Sequence, residues 1–292
     1  MVSYKKRQKL KKYKWGGRVT VKQRPNCNPV VVGHTVSDKS CLTKPLMSSV
    51  NFGGDKTIRD VIKECEGDDM CVISKIPDSE QKEAIKNEAF VPKQPAEWSL
   101  NINEWLSDTD ILNVIQQYVE AYKEFEFLGP SYIDFDYREH GTCVEESLCK
   151  FSLAEYIKKG KTKIGIILNL DDHTKSGSHW VSMFIDVKRR FIFYFDSAGE
   201  SIPKEVGVLI ARIKQQAKDL HMRFRVYENS PFEHQYGGTE CGMYSLFFLI
   251  TMLTNKYEDK PFKNTKHIVN FFKRYRIPDK YMEKMRFRYF YS

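Results

Sequence analysis

Three short apolar runs, Ile164 to Leu170 (IGIILNL), Trp180 to Val187 (WVSMFIDV) and Phe191 to Phe195 (FIFYF), constrain this chain more than any other feature. They are rich in β-branched and aromatic residues and read as strands. Lys188, Arg189 and Arg190 make a charged turn between the second and third, which predicts an antiparallel hairpin. Such a sheet must bury its faces against other elements, and helical spacing occurs on either side of it. Apolar residues at Ile111, Leu112, Ile115, Tyr118, Val119 and Tyr122 predict a helix from Ser107 to Phe125 behind a Ser/Asp cap. Pro203 opens a further helix through about Leu220, Met222 to Tyr227 reads as a strand, and Cys241 to Thr254 reads as a buried helix. Two basic helical pieces close the chain. The expected class is α+β, a central mixed sheet flanked by helices.

Upstream the patterning weakens. Residues 1 to about 50 hold a basic run (Lys5, Lys6, Arg7, Lys9, Lys11, Lys12, Lys14) with little periodicity, which predicts a weakly folded arm. Thr57 to Cys65 and Ser79 to Ala89 have the character of short helices, and Pro92 and Pro95 then punctuate the chain. The expected division is residues 1–95, a basic arm with a small helical region, and 96–292, the main domain.

Composition excludes several classes of function. The longest nearly uninterrupted apolar stretch, Met243 to Leu253, falls well short of the roughly 20 residues that span a bilayer. No apolar segment follows the basic N-terminus, so it does not read as a signal peptide. Seven cysteines, an odd number, argue against a disulfide framework and for a reducing compartment. The pairs Cys65/Cys71 and Cys143/Cys149 are spaced too widely for zinc knuckles, and no metal or other cofactor is expected. Gly160-Lys161-Thr162 resembles the tail of a phosphate-binding loop, but Glu155 stands where that loop needs glycine. A formal charge of +9 favours a polyanionic neighbour such as nucleic acid, while a solvated tail explains the N-terminal run equally well. A second basic region, Lys263, Lys266, Lys273, Arg274, Arg276, Lys280, Lys284, Arg286 and Arg288, is interleaved with Phe and Tyr. It reads either as a phosphate-tracking surface or as the polar face of two terminal helices.

Four residues suit nucleophilic acyl chemistry. Cys241 stands where the loop Gly237-Gly238-Thr239-Glu240 enters a helix, whose positive end lowers a thiol pKa. His179 starts one strand of the predicted hairpin and Asp196 follows the other, so the two should meet at one edge of the sheet. Gln235, earlier on the nucleophile's loop, has an amide that could reach a developing oxyanion together with the Cys241 N–H. A lone cysteine at a helix start is ordinarily a small core hydrophobe. What selects the chemical reading is the joint order of His-Trp, Asp-Ser and Gln-x5-Cys-Gly. His234 sits on the nucleophile's own loop without a strand-end carboxylate, and His34, His140, His173, His221 and His267 lack such company.

At these residues the chain resembles the ubiquitin-like-protein-specific (SUMO) proteases and the adenovirus-type maturation proteases. The signature is His179-Trp180, Asp196-Ser197 and Gln235 with Cys241-Gly242, and the element order agrees over residues 98 to 256. The resemblance implies a papain-like cysteine protease with His179 as base, Asp196 orienting it, Gln235 as oxyanion donor and Cys241 as nucleophile. Trp105-Leu106-Ser107-Asp108 is similar to a Trp-Leu-Asn-Asp motif at the substrate channel, which makes Trp105, Asp108 and Trp180 substrate-binding candidates. Trp105 and Trp180 would wall a tunnel that admits only glycine, implying a polypeptide substrate cut at Gly-Gly-X. Glu240 stands where the SUMO proteases usually have Asp, and Ser107 replaces Asn. With the unplaced N-terminal region and the basic, aromatic-rich composition, the style is closer to the polyprotein-maturation proteases of large DNA viruses, found in the virion or host cytoplasm. A cellular SUMO isopeptidase, in the nucleus or cytoplasm, is the alternative. An acyltransferase would usually carry Glu in place of Asp196, and an inactive binding module would not keep all four residues.

Overall fold

The computed structural model describes residues 26–35, 40–53 and 57–291. The basic run from Lys5 to Lys14 lies outside them. The chain runs through four short helices, α1 (Lys44–Ser48), α2 (Ile58–Glu64), α3 (Asp69–Ser74) and α4 (Ser79–Ala89), then α5 (Asp108–Ala121) and β1 (Phe125–Tyr132). A small ribbon, β2 (Arg138–Glu139) and β3 (Thr142–Cys143), precedes α6 (Glu146–Cys149) and α7 (Leu153–Lys158). Next come β4 (Lys163–Asn169), β5 (Trp180–Asp186), β6 (Phe191–Phe195), α8 (Lys204–Asp219), β7 (Arg225–Glu228) and α9 (Cys241–Thr254). A second ribbon, β8 (Lys256–Tyr257) and β9 (Lys260–Pro261), and the helices α10 (Thr265–Arg274) and α11 (Asp279–Tyr289) complete it.

The main sheet has the order β1-β4-β5-β6-β7. The β4–β5 and β5–β6 pairs are antiparallel, while β1 and β7 add in parallel at the edges, so the sheet is mixed. Side chains alternate across it, as the period of two requires. Phe184, Phe191, Phe193 and Phe195 face a layer built from α5, α9, α10 and α11. Met183, Ile185, Ile192 and Tyr194 face α8 and the short helices before β4. Cover on both faces explains why FIFYF is apolar throughout rather than alternating. The strongest signals in the sequence are therefore those of fully buried elements: every residue of β5 and β6 is buried, as is every residue of α9 except its last.

Helix α5 begins as its cap predicts. Ser107 accepts from the Asp110 N–H and the Asp110 carboxylate accepts from the Ser107 N–H, a reciprocal capping box. It stops at Ala121, however, and Phe125 opens a strand the sequence did not announce. β1 contains Gly129-Pro130, where its register against β4 shifts, and only an edge strand tolerates such a break.

The N-terminal region also departs from expectation. Residues from Cys41 onward are not weakly folded: Cys41, Leu42 and Met47 are buried in a separate hydrophobic cluster with Val61, Val72, Ile73, Ile85 and Phe90. Six cysteines pair as Cys27–Cys41, Cys65–Cys71 and Cys143–Cys149, against the expectation of no disulfides, and Cys241 is the odd one left free. In the two close pairs a short turn between neighbouring elements brings the thiols together: Cys65 caps α2 and Cys71 lies in α3, while Cys143 ends β3 and Cys149 ends α6. The cluster is stitched to the C-terminus, where Tyr291 N donates to the Pro92 carbonyl at 2.9 Å and Gln94 N to the Tyr291 carbonyl at 2.8 Å.

Candidate functional site

The β5–β6 hairpin register places Phe195 across from Ser182, so Asp196 emerges beside the start of β5 where His179 stands. There His179 Nε2 lies 2.7 Å from Asp196 Oδ1. The aspartate is fully buried, held through its backbone and through Oδ1, while Oδ2 has no hydrogen-bond partner among the described residues. Its N–H donates to Asn229 Oδ1 at 2.9 Å, and Asn229 Nδ2 donates to the Asp196 carbonyl at 2.7 Å. The Ala198 N–H donates to the same Oδ1 at 2.8 Å. Asn229 thus fixes the carboxylate's backbone, a role nothing in the segment Glu228-Asn229-Ser230 signalled.

The loop delivering His179 is fastened in a similar way. Asn169, the last residue of β4, accepts from the N–H groups of Asp171 and Ser178, each at 3.0 Å, closing the loop just ahead of the histidine. Gly177 in that loop has φ +96°, and a Cβ there would lie 2.6 Å from Asn169 Nδ2, so both conformation and space demand glycine.

Cys241 is the first residue of α9 and is almost wholly buried. Burial disfavours charge on the His179 ring. Hydrogen bonds to Asp196 and to the Cys241 sulfur, with the negative charge of both, outweigh it and push the ring's pKa up to about 10. The ring is then a cation through neutral pH, held between a carboxylate and a sulfur. Linkage gives this a sign. Stabilisation from a raised histidine is complete below the ordinary value of 6.5 and is lost as pH rises through about 10. Urea unfolding at pH 8 and at pH 10.5 is expected to show a larger loss of stability in wild type than in His179→Ala. Equal losses in the two proteins would contradict the charged ring.

Gln235 is buried on the same loop. Ser197 Oγ donates to its Oε1 at 2.7 Å, which fixes the amide's orientation, and its Nε2 donates to the Gly237 carbonyl at 2.8 Å. The Asp-Ser pair of the sequence is thereby given two tasks: the aspartate serves the histidine and the serine serves the glutamine. His234, the neighbouring residue, is structural. Burial, only partly offset by the Phe272 carbonyl, pushes its pKa down to about 4. Its Nε2 donates to that carbonyl at 2.7 Å while its Nδ1 accepts from the Ile277 N–H at 3.2 Å.

The segment 105–108 is brought to the same place. Trp180 Nε1 donates to the Leu106 carbonyl at 3.0 Å, and a Cβ on Gly242 would lie 3.0 Å from Leu106 Cβ and 3.3 Å from Trp180 Cδ1. Gly242 therefore lets α9 approach both. Trp180 is 9% exposed and largely core, whereas Trp105 is 43% exposed at the surface. Asp108 is exposed in the first turn of α5, where its carboxylate accepts from the Thr109 N–H at 2.7 Å. Among the described residues no group of acidic, histidine or cysteine side chains is placed to hold a metal ion.

A buried sulfur at a helix start, a charged imidazole against it and an amide donor alongside constitute the equipment for acyl transfer through a thioester. The C-terminal catalytic domain of the Ulp1 protease family matches residues 155–285. A candidate thiol protease of Acanthamoeba polyphaga mimivirus is 29% identical over 205 residues, which cover 69% of this chain and 64% of that protein, somewhat less than two thirds of its length. The cysteine protease of African swine fever virus is 28% identical over 237 residues, covering 76% of this chain and 84% of the viral protein. A crystal structure of the African swine fever virus protease superposes with a TM-score of 0.64 at 25% identity, covering 90% of this chain and 94% of the other.

Proposed function

This chain belongs to the Ulp1 family of cysteine proteases and is related to viral members of it, and on that premise we propose that it is an endopeptidase cutting precursor polypeptides after Gly-Gly. The observation that carries the proposal is the meeting of Cys241, His179, Asp196 and Gln235 from three separate segments. In this reading the Cys241 sulfur attacks the scissile carbonyl carbon, and the oxyanion is held by the Cys241 N–H and the remaining Gln235 amide N–H. His179 then gives its proton to the departing amine as the C–N bond breaks, leaving a thioester. Water, deprotonated by the same ring, releases the acid and restores the thiol. Asp196 holds the ring in place and balances its charge throughout.

Trp105 and Trp180 would border the channel leading to the sulfur, with Asp108 at its entrance, and the substrate's two glycines would fill the narrow part. Maturation of structural precursors, in the virion or host cytoplasm, suits the viral relatives. Among the described residues no helix is long and apolar enough to cross a membrane. A second reading, removal of a ubiquitin-like modifier, is favoured by African swine fever virus relatives that bear the name SUMO-1 cysteine protease. Incubation with a panel of Gly-Gly-X peptides and with a SUMO-aldehyde trap separates the two. Cleavage of short peptides supports maturation, trapping by the folded modifier alone supports deconjugation, and neither would sink both.

The N-terminal basic run would bind nucleic acid electrostatically. Log affinity for duplex DNA is then expected to fall linearly with log salt, with a slope of about −0.9 per neutralised phosphate. Deleting residues 1–14 should flatten that slope. An unchanged slope in a salt titration would leave the run as a solvated tail.

A further inference from the structure

Arg286 belongs by sequence to the basic C-terminal region, yet its side chain is fully buried, with no exposed surface at all. Burying a guanidinium forfeits its hydration, which is costly unless its donors are used. Two of them reach backbone carbonyls from segments far apart in the sequence. Nη1 donates to the Glu104 carbonyl at 2.9 Å and Nη2 to the Thr239 carbonyl at 3.3 Å. The guanidinium carbon lies 4.7 Å from the centre of the Trp98 ring, while Nε is buried without a hydrogen-bond partner among the described residues. Packing on Trp98 could be done by an apolar side chain. Holding two carbonyls at once needs the rigid fork that arginine alone presents.

Both carbonyls adjoin candidate site residues. Glu104 precedes Trp105, and Thr239 lies two residues before Cys241. Because the peptide unit is planar, fixing a carbonyl also fixes the next residue's N–H, here those of Trp105 and Glu240. Glu240 tightens the same turn: its carboxylate accepts from Thr239 Oγ1 at 2.5 Å and from the Thr239 N–H at 3.2 Å. The negative charges of Glu240, Cys241, Glu104 and Glu283 all act on the guanidinium. Burial lowers its pKa below the ordinary guanidinium value, but arginine stays charged.

We propose that Arg286 is a positioning residue: it locks the nucleophile loop and the Trp105 loop to α11 and sets a buried positive charge within reach of the Cys241 sulfur. The inference rests on the reading of Cys241 as nucleophile. It explains why a C-terminal helix with no group in the reaction carries a fully buried cation.

The test uses the full chain and the variants Arg286→Lys and Arg286→Met, with two readouts: kcat/KM on a Gly-Gly-X peptide and the pH midpoint of Cys241 alkylation by iodoacetamide. The charged groups paired with that sulfur are His179, with Asp196 bound to it, and Arg286, on whose guanidinium Glu240, Glu104 and Glu283 also act. Arg286→Lys keeps the charge but cannot span both carbonyls, so kcat/KM is expected to fall about 10- to 100-fold from loop misplacement while the midpoint holds. Arg286→Met removes both functions, and its midpoint should also move up by about one pH unit. A purely structural arginine would not move that midpoint. Wild-type kcat/KM in Arg286→Lys overturns the proposal, as does an unmoved midpoint in cooperatively folded Arg286→Met. If the methionine variant does not fold, the lysine variant decides alone. Should the wild-type chain cut no Gly-Gly peptide, the protease reading fails at that step, whereas the alkylation midpoint still tests Arg286.

Discussion

Cys241→Ala is expected to abolish peptide hydrolysis while leaving the protein folded. The sulfur has no substitute among the thiols: Cys241 is the one free cysteine of the described residues. Loss of one buried atom at the start of α9 costs about 1 kcal/mol, too little to unfold a domain of this size. His179→Ala should be nearly as damaging, because nucleophile and base act as one unit and single removals approach the effect of removing both. Asp196→Asn is the more informative partner. It keeps the shape of the side chain, and Asn229 still clamps its backbone, but it removes the charge that sustains the imidazolium. A loss of about 10⁴-fold is expected from that change alone. Turnover of a Gly-Gly-X peptide, followed beside a cooperative thermal melt, checks all three. Undiminished turnover by folded Cys241→Ala would end the assignment.

The second large effect lies in the substrate. Replacing the glycine next to the scissile bond by alanine should reduce cleavage by about 5- to 150-fold, the rate equivalent of forcing a methyl into a packed site at about 1–3 kcal/mol. The reason is the immobility of Trp180. Its indole N–H is committed to the Leu106 carbonyl, its ring packs beside Gly242, and Ser245 Oγ donates to its own carbonyl at 3.3 Å. If Trp180 borders the channel, an indole fastened in this way would not retreat from a methyl group. Comparing kcat/KM for Gly-Gly and Gly-Ala peptides measures this, and equal values would reject a glycine-only channel.

How legible the site was depends on where each interaction runs. His179 and Asp196 are separated by 17 residues, but a single hairpin joins them, so strand alternation and a charged turn were enough to predict their meeting. Cys241 was legible only in company: the order of His-Trp, Asp-Ser and Gln-x5-Cys-Gly singled it out as a candidate, and the helix begins at that residue. The Ser197–Gln235 bond was half legible: both residues stood in motifs, but nothing local said that one orients the other across 38 positions.

What the sequence determined by itself was therefore whatever arises from near neighbours and from burial on one scale. The strands β4 to β6, the helices α4 and α9, and the chemical types in the site all follow from periodicity and short-range turns. Tertiary structure decided the rest. β1 is a strand because β4 offers an edge to pair with, not because FEFLGPSY prefers it. The six paired cysteines meet because chain turns carry them together, which an odd count cannot reveal. Arg286 has the composition of a surface and the position of a core, because α11 lies against α9 and the loops before α5, and those partners are more than forty residues away in sequence. Local patterning reports what a segment can become; only the packed molecule assigns which long-range partner satisfies each buried donor and charge.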